Sequence, residues 1–115
     1  MDIIREILKS NEFHQYFNSL DKRTQAKYDY AIFIMETHKV IHTKFVKKIQ
    51  RTEFYEVIVS IGYNEYRTLL ITSDNPNFIE AKRVILLNSF LKKDTKQYKR
   101  EIEKARTILI KEEII

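Results

Sequence analysis

The chain has no cysteine and no tryptophan, and only one glycine and one proline. Without cysteine there can be no disulfide, no thiolate metal site and no cysteine nucleophile. A single glycine leaves no room for a glycine-rich phosphate loop of the GxGxxG or GxxxxGK(S/T) type, and it excludes the nucleotide-binding folds that depend on one. Long apolar runs are also missing. Val84-Ile85-Leu86-Leu87 is typical, far short of the roughly 18 residues of a membrane span. The opening Met1-Asp2-Ile3-Ile4-Arg5-Glu6 is charged from the start and lacks the apolar segment of a signal peptide, so a cytoplasmic location is expected. There is no internal repeat and no low-complexity linker.

What remains is a chain of 115 residues, 43% apolar and 12% aromatic, enough to build a core without covalent staples. A single domain spanning residues 1–115 is expected. Charged residues make up 32% and the formal net charge is +5, which predicts an anionic partner such as nucleic acid, an acidic protein or a lipid surface.

Residues 2–9 read as a short strand or an extended start. Ser10 and Asn11 are cap-type residues, followed by Phe13, Tyr16, Phe17 and Leu20 at the spacing of an amphipathic helix. Asp21 punctuates, and a second helix is predicted to about Val40, with Tyr30, Phe33, Ile34, Thr37 and Ile41 facing inward. So tight a joint makes the two helices an αα-hairpin.

From Phe54 the period changes. Tyr55, Val57, Val59 and Ile61 alternate as in a half-buried strand, Gly62-Tyr63-Asn64 signals a hairpin turn, and a second strand runs from Glu65 to Thr72. Asp74-Asn75-Pro76-Asn77 is the strongest turn cluster. A third strand lies within Phe78–Phe90, where Val84–Leu87 is apolar on both faces and so belongs inside the sheet. Asp94 and Gln97 form a capping-box-like start to a last helix with Tyr98, Ile102, Ala105 and Leu109 buried. The order is (β)ααβββα, an α+β fold with an antiparallel sheet and its helices on one face.

Between Lys92 and Arg106 stand seven basic residues (Lys92, Lys93, Lys96, Lys99, Arg100, Lys104, Arg106) and three acidic ones, a local balance of +4. Lys44, Lys47, Lys48 and Arg51 form a second cluster before the strands. Each alone reads as a solvated face, and the two together, bracketing one sheet, read equally as a surface that tracks phosphates. Arg67 lies mid-strand among Tyr66, Leu69, Leu70 and Ile71, where a guanidinium must be paired or reach a rim. Two roles are open to it: an ion pair with Glu56 or Glu65 across the hairpin, or a fork holding two phosphate oxygens. His14, His38 and His42 have no HExxH around them and no carboxylate spaced as a third ligand, so neither a metal nor a cofactor is expected.

Phe54-Tyr55-Glu56-Val57-Ile58-Val59, Glu65-Tyr66-Arg67-Thr68-Leu69-Leu70, Leu87-Asn88-Ser89-Phe90-Leu91-Lys92-Lys93-Asp94-Thr95 and Tyr98-Lys99-Arg100-Glu101-Ile102-Glu103-Lys104-Ala105-Arg106 together resemble the phage-derived HigB-like toxins of the RelE/HigB superfamily. The matching pattern is an "lYElR" strand, a "yRily" strand, an "hgFvKKt" strand end and an "eiekAr" helix. It covers about Phe54 to Leu109; the helical first half fits in layout only.

The resemblance implies a RelE-like fold and the toxin of a type II toxin–antitoxin system. The implied activity is ribosome-dependent, metal-independent mRNA cleavage by attack of a 2′-OH on the adjacent phosphate, with inhibition of translation as its outcome. A helix-turn-helix antitoxin, the ribosome and mRNA are the implied partners. Arg67 matches the arginine of "yR" and would clamp the scissile phosphate. Lys92 and Lys93 match the "KK" pair that neutralises phosphate or supplies the acid, and Tyr98 is a candidate for stacking or proton transfer. Lys44, Lys47, Lys48, Arg51, Lys96 and Lys99 would bind RNA. The arginine of "lYElR" falls at Ile58, an apolar member of the otherwise polar row Glu56, Ile58, Ser60, and this departure implies weakened or abolished cleavage. Alternatives are a silent RNA- or ribosome-binding module of the same fold, or a ParE-like toxin acting on a protein such as DNA gyrase; the fold by itself does not choose between them.

Overall fold

Ser10 ends a short strand and starts a helix with the same side chain. Its Oγ accepts a hydrogen bond from the Phe13 amide at 3.0 Å and donates to the Leu87 carbonyl at 2.6 Å, so the cap also ties the helix to the sheet. In this computed structural model, which describes residues 2–114, the strand is β1 (Glu6–Lys9) and the helix is α1 (Asn11–Ser19). Asp21 repeats the device for α2 (Lys22–Thr37), accepting from the Thr24 amide at 2.8 Å.

The inward face of α2 differs from the expected one. Thr24, Tyr28, Ala31, Ile32 and Met35 are buried, whereas Tyr30 and Phe33 are 54% and 43% exposed. The segment Tyr28–Met35 is apolar nearly all round, so its periodicity did not select a face; packing of Tyr28 against Phe13 and Phe17 does. The helix also stops at Thr37 rather than near Val40. The amides of Ile4 and Arg5 take the Glu36 carbonyl, and the Arg5 guanidinium takes those of Met35 and His38, leaving no continuing ladder for another turn.

The remaining elements are β2 (Val46–Lys48), β3 (Tyr55–Ile61), β4 (Asn64–Thr72), β5 (Arg83–Leu91) and α3 (Gln97–Lys111). They follow the predicted order, with β2 as an added short strand inside the Lys44–Arg51 cluster. The five strands lie in the order β1-β5-β4-β3-β2. All neighbours are antiparallel except β1, which runs parallel to β5, so the sheet is mixed. Gly62, at φ 59°, makes the tight β3–β4 turn in the left-handed region where a Cβ is penalised. The Asp94 and Gln97 pairing forms one turn ahead of α3: Gln97 Oε1 accepts from the Asp94 amide at 3.0 Å, and Asp94 Oδ1 from the Lys96 amide at 2.8 Å.

Helices cover both faces of the sheet, not one. On one side α1 and α2 bury Phe13, Tyr28 and Met35 against Val57, Val59, Leu70, Val84 and Leu86. On the other, α3 buries Ala105, Ile108 and Leu109 against Leu69, Ile85 and Leu87. Val84–Leu87 alternates between these two cores, which is what a strand apolar on both faces requires. Between Thr68↔Ser89 and Leu70↔Leu86 the register slips, so Leu87 and Asn88 together face Leu69 in a bulge. The bulge turns Asn88 towards α3, where its amide donates to both the carbonyl and the carboxylate of Glu101 at 3.0 Å. Among the described residues no helix is long and apolar enough to cross a membrane.

One polar thread crosses the first core: Thr68 Oγ1 meets the Tyr28 hydroxyl at 2.9 Å and the Ser89 hydroxyl at 2.7 Å. Burial pushes the Tyr28 phenol far above its ordinary value, against the opposing pull of the Thr68 and Ser89 hydroxyls. The folded state therefore keeps a proton that the unfolded chain gives up above about pH 10. Its contribution is intact below that pH and is lost above it, at up to about 1.4 kcal/mol per pH unit. Urea titrations across this range should show a shallower alkaline loss for Tyr28→Phe than for the parent; equal slopes would rule Tyr28 out as the source.

Candidate functional site

Because α3 packs over β5 and only part of β4, the corresponding face of β3 is left uncovered. The gap is a cleft of about 510 Å³ lined by His42, Thr43, Lys44, Lys47, Glu56, Ile58, Arg67, Lys92 and Tyr98. Each side chain arrives by simple strand or helix geometry. Glu56 and Ile58 alternate with the core residues Val57 and Val59, so the two-residue period points them into the cleft. Lys47 faces the cleft beside its cross-strand neighbour Glu56. Lys92 is held past the end of β5 by its amide, which donates to the Glu65 carbonyl at 2.7 Å. Tyr98 comes from the first turn of α3 and stacks edge-on against Phe90, with centroids 5.5 Å apart.

Ile58 is the cross-strand partner of Arg67. The Ile58 amide bonds outward to the Phe45 carbonyl at 2.8 Å, so Ile58 and Arg67 are a non-hydrogen-bonded pair, the kind whose side chains stand closest. The residue found where the resemblance calls for arginine thus lies directly beside the one arginine of the cleft.

The centre of the cleft is a three-residue cluster. Arg67 Nη1 donates to Glu56 Oε1 at 2.8 Å, and the Tyr98 hydroxyl donates to the same oxygen at 2.5 Å. Arg67 Nη2 is bonded to Glu65 at the rim. Arg67 and Glu56 are buried, Glu65 is exposed. Of the two roles open to Arg67, the ion pair is present, with both candidate carboxylates. Burial works against the Arg67 charge, but Glu65, Tyr98 and Glu56 together more than offset it, so its pKa is raised. Arg67 in turn holds Glu65 below the usual carboxylate range through a hydrogen bond and its charge. Burial raises the Tyr98 phenol well above its ordinary value, and the neighbouring Glu56 adds to the rise. Tyr98 is therefore a protonated donor at neutral pH, Glu56 is an acceptor already touching it, and buried Arg67 Nε has no partner among the described residues.

The cleft gathers Arg67, Lys92, Tyr98, Lys44 and Lys47 from the sequence-predicted set. The others lie elsewhere. Lys93 is exposed, and its amide donates to Gln97 Oε1 at 2.5 Å; next to Lys92 along an extended segment, its side chain points away. Lys48 faces the other side of β2, over the Tyr55 ring and bonded to the Thr52 carbonyl. Arg51 sits in the β2–β3 turn at φ 65°, and Lys96 and Lys99 are exposed at the entry to α3. Of the histidines, all exposed, His42 reaches the cleft mouth, where its Nδ1 accepts from the Lys44 amide at 3.0 Å.

Glu56 is the site residue that sequence reasoning treated only as an ion-pair partner. Its signal was a carboxylate one residue out of step with the apolar alternation of Tyr55, Val57 and Val59; once buried, as here, such a group costs several kcal/mol unless it is partnered. A family model described as "Phage derived protein Gp49-like (DUF891)" matches residues 15–109, which includes every residue of this cleft. No curated protein and no solved structure matches the chain.

Proposed function

Because this chain belongs to the phage-derived Gp49-like family (DUF891), we propose that it is a toxin of the RelE/HigB kind, an endoribonuclease that cuts ribosome-bound mRNA in the cytoplasm and is neutralised by a helix-turn-helix antitoxin. One observation carries this reading: a carboxylate, a phenol held in its protonated form and a cluster of cations share one open cleft. In-line attack by a 2′-OH needs a proton acceptor, charge to stabilise the phosphorane, and a proton donor for the leaving 5′-oxygen.

In the proposed mechanism Glu56 takes the 2′-OH proton as the new O2′–P bond forms. Arg67 and Lys92, with Lys44 and Lys47 along the flanking backbone, offset the charge that gathers on the phosphorus oxygens. Tyr98 gives its proton to O5′ as the P–O5′ bond breaks, leaving a 2′,3′-cyclic phosphate and a free 5′-hydroxyl. The Tyr98 phenolate then recovers a proton from Glu56 across the hydrogen bond they already share, and the cluster returns to its starting state with no net proton consumed.

Ile58 weakens this machinery. It puts an alkyl chain where a second guanidinium would face the phosphate, and loss of one such donor costs about 10²–10³ in rate. The same feature supports a second reading, a silent RNA- or ribosome-binding module, since both terminal nitrogens of Arg67 are engaged by carboxylates. Primer extension on mRNA-programmed ribosomes separates the two. The parent protein is expected to cleave weakly, and Ile58→Arg roughly a hundredfold faster. Cleavage by neither, with RNA still bound, would establish the silent module. If neither variant cuts nor binds, the RNA reading falls and a protein target takes its place.

A further inference from the structure

A second groove opens where β2 ends. Only three residues of β2 pair with β3, and past Ile58 the outer edge of β3 is uncovered. Along that edge the Ile58 amide points outward to Phe45, while the Glu65 carbonyl opposite Ser60 points inward to Lys92. By the alternation of the ladder, Ser60 therefore presents both its N–H and its C=O outward. The groove holds about 300 Å³, and its walls include Lys27, Tyr30, Lys44, Phe45, Ile58 and Ser60. Lys44 and Ile58 also line the Glu56–Arg67 cleft, so the two spaces adjoin.

Resting on the RNA reading of the neighbouring cleft, we infer that this groove is a nucleobase subsite for the nucleotide flanking the scissile phosphate. Tyr30 is 54% exposed, a large aromatic side chain left on the surface beside a cavity, and it meets the Phe45 ring at 6.1 Å and 60°. A base laid on the open side of Tyr30 extends that aromatic pair, and every base offers a π-face for it. The outward N–H and C=O of Ser60 form a donor–acceptor couple of the kind a base edge pairs with. Lys27 and Lys44 flank the groove with positive charge suited to the backbone on either side of the base. The other occupant to consider is an extended peptide added as a sixth strand. The edge disfavours it, since β2 and Phe45 already occupy the positions up to Ile58 and only the end of β3 is left to pair.

The test is fluorescence anisotropy with a labelled, 2′-O-methyl-blocked RNA trinucleotide and with the same backbone carrying an abasic site. Tyr30→Leu, which keeps bulk but loses the π-face at an exposed position, is expected to weaken binding of the complete oligonucleotide about tenfold or more and to leave the abasic one unchanged. Tyr30→Phe is expected to bind both like the parent, and Lys92→Ala to weaken both alike. Parent-like binding of the complete oligonucleotide by Tyr30→Leu, with Lys92→Ala still weakened, overturns the subsite alone. Absence of binding by the parent overturns the subsite, and primer extension on programmed ribosomes then decides the RNA reading separately. If Tyr30→Leu instead loses only a glutamate-rich peptide, the groove belongs to a protein partner and the subsite is wrong.

Discussion

Replacing Arg5 by methionine is expected to cost the fold about 4 kcal/mol, the largest loss from any single side chain near the N-terminus. Arg5 is 1% exposed. Its guanidinium makes five hydrogen bonds, all to backbone carbonyls: Phe78 and Ile79 in the turn before β5, and Met35, His38 and Lys39 at the end of α2. It also lies over the Phe78 ring, 4.4 Å from the centroid. No carboxylate is among these partners. Burial lowers its pKa, but a guanidinium starts so high that it keeps its charge. The carbonyls compensate that charge, and those at the C-terminal end of α2 carry the negative end of the helix dipole. Methionine keeps much of the volume but strands several buried carbonyls at once. Lysine, a point charge with fewer donors and no planar fork, should recover part of the loss. Urea denaturation checks this, and a difference below about 1 kcal/mol for Arg5→Met would mean that water replaces the guanidinium without penalty.

The second large effect concerns the cleft, where stability and chemistry can be separated. Arg67→Met is expected to lower stability by about 3 kcal/mol, because it leaves the Glu56 carboxylate buried beside Tyr98 without its cation. Adding Glu56→Gln removes the stranded charge and should restore most of the stability, since a buried pair as a whole contributes little. RNA cleavage by the Ile58→Arg protein should disappear on adding Arg67→Met and stay absent when Glu56→Gln is added as well. Denaturant midpoints together with primer extension give both readings from one set of proteins. If the protein carrying all three changes cuts RNA, the Glu56–Arg67 pair is structural only and the proposed base and clamp are wrong.

The β3–β4 hairpin could be read from the chain because Tyr55, Val57, Val59 and Ile61 alternate without interruption and Gly62 marks the turn. The face of α2 could not, since Tyr28, Tyr30, Ile32 and Phe33 offer apolar surface in every direction and the choice is made by Phe13 and Phe17 of another helix. The two-sided cover of the sheet was implicit in Val84–Leu87, an apolar run that needs partners on both faces. Within the site, Arg67 stood out as a charge in an apolar strand. The pairing of Glu56 with Arg67, 11 residues on, could be read across the hairpin, but its contact with the Tyr98 phenol was hidden because that residue lies 42 positions away, beyond any local pattern. Arg5 looked like one more charge at a polar N-terminus; only the folded chain brings the ends of α2 and of the Phe78 turn around it.

The parallel pairing of β1 with β5 joins Glu6 to Arg83, 77 residues further along the chain. During synthesis the first strand therefore leaves the ribosome long before its mate exists. The cleft has the same schedule: Glu56 and Arg67 emerge together, but the phenol that completes them is carried by the last helix. A nascent chain stopped anywhere before Tyr98 holds a carboxylate–guanidinium pair with no proton donor. A cluster that includes the Tyr98 phenol cannot assemble on the ribosome making the chain until the polypeptide through Tyr98 has emerged.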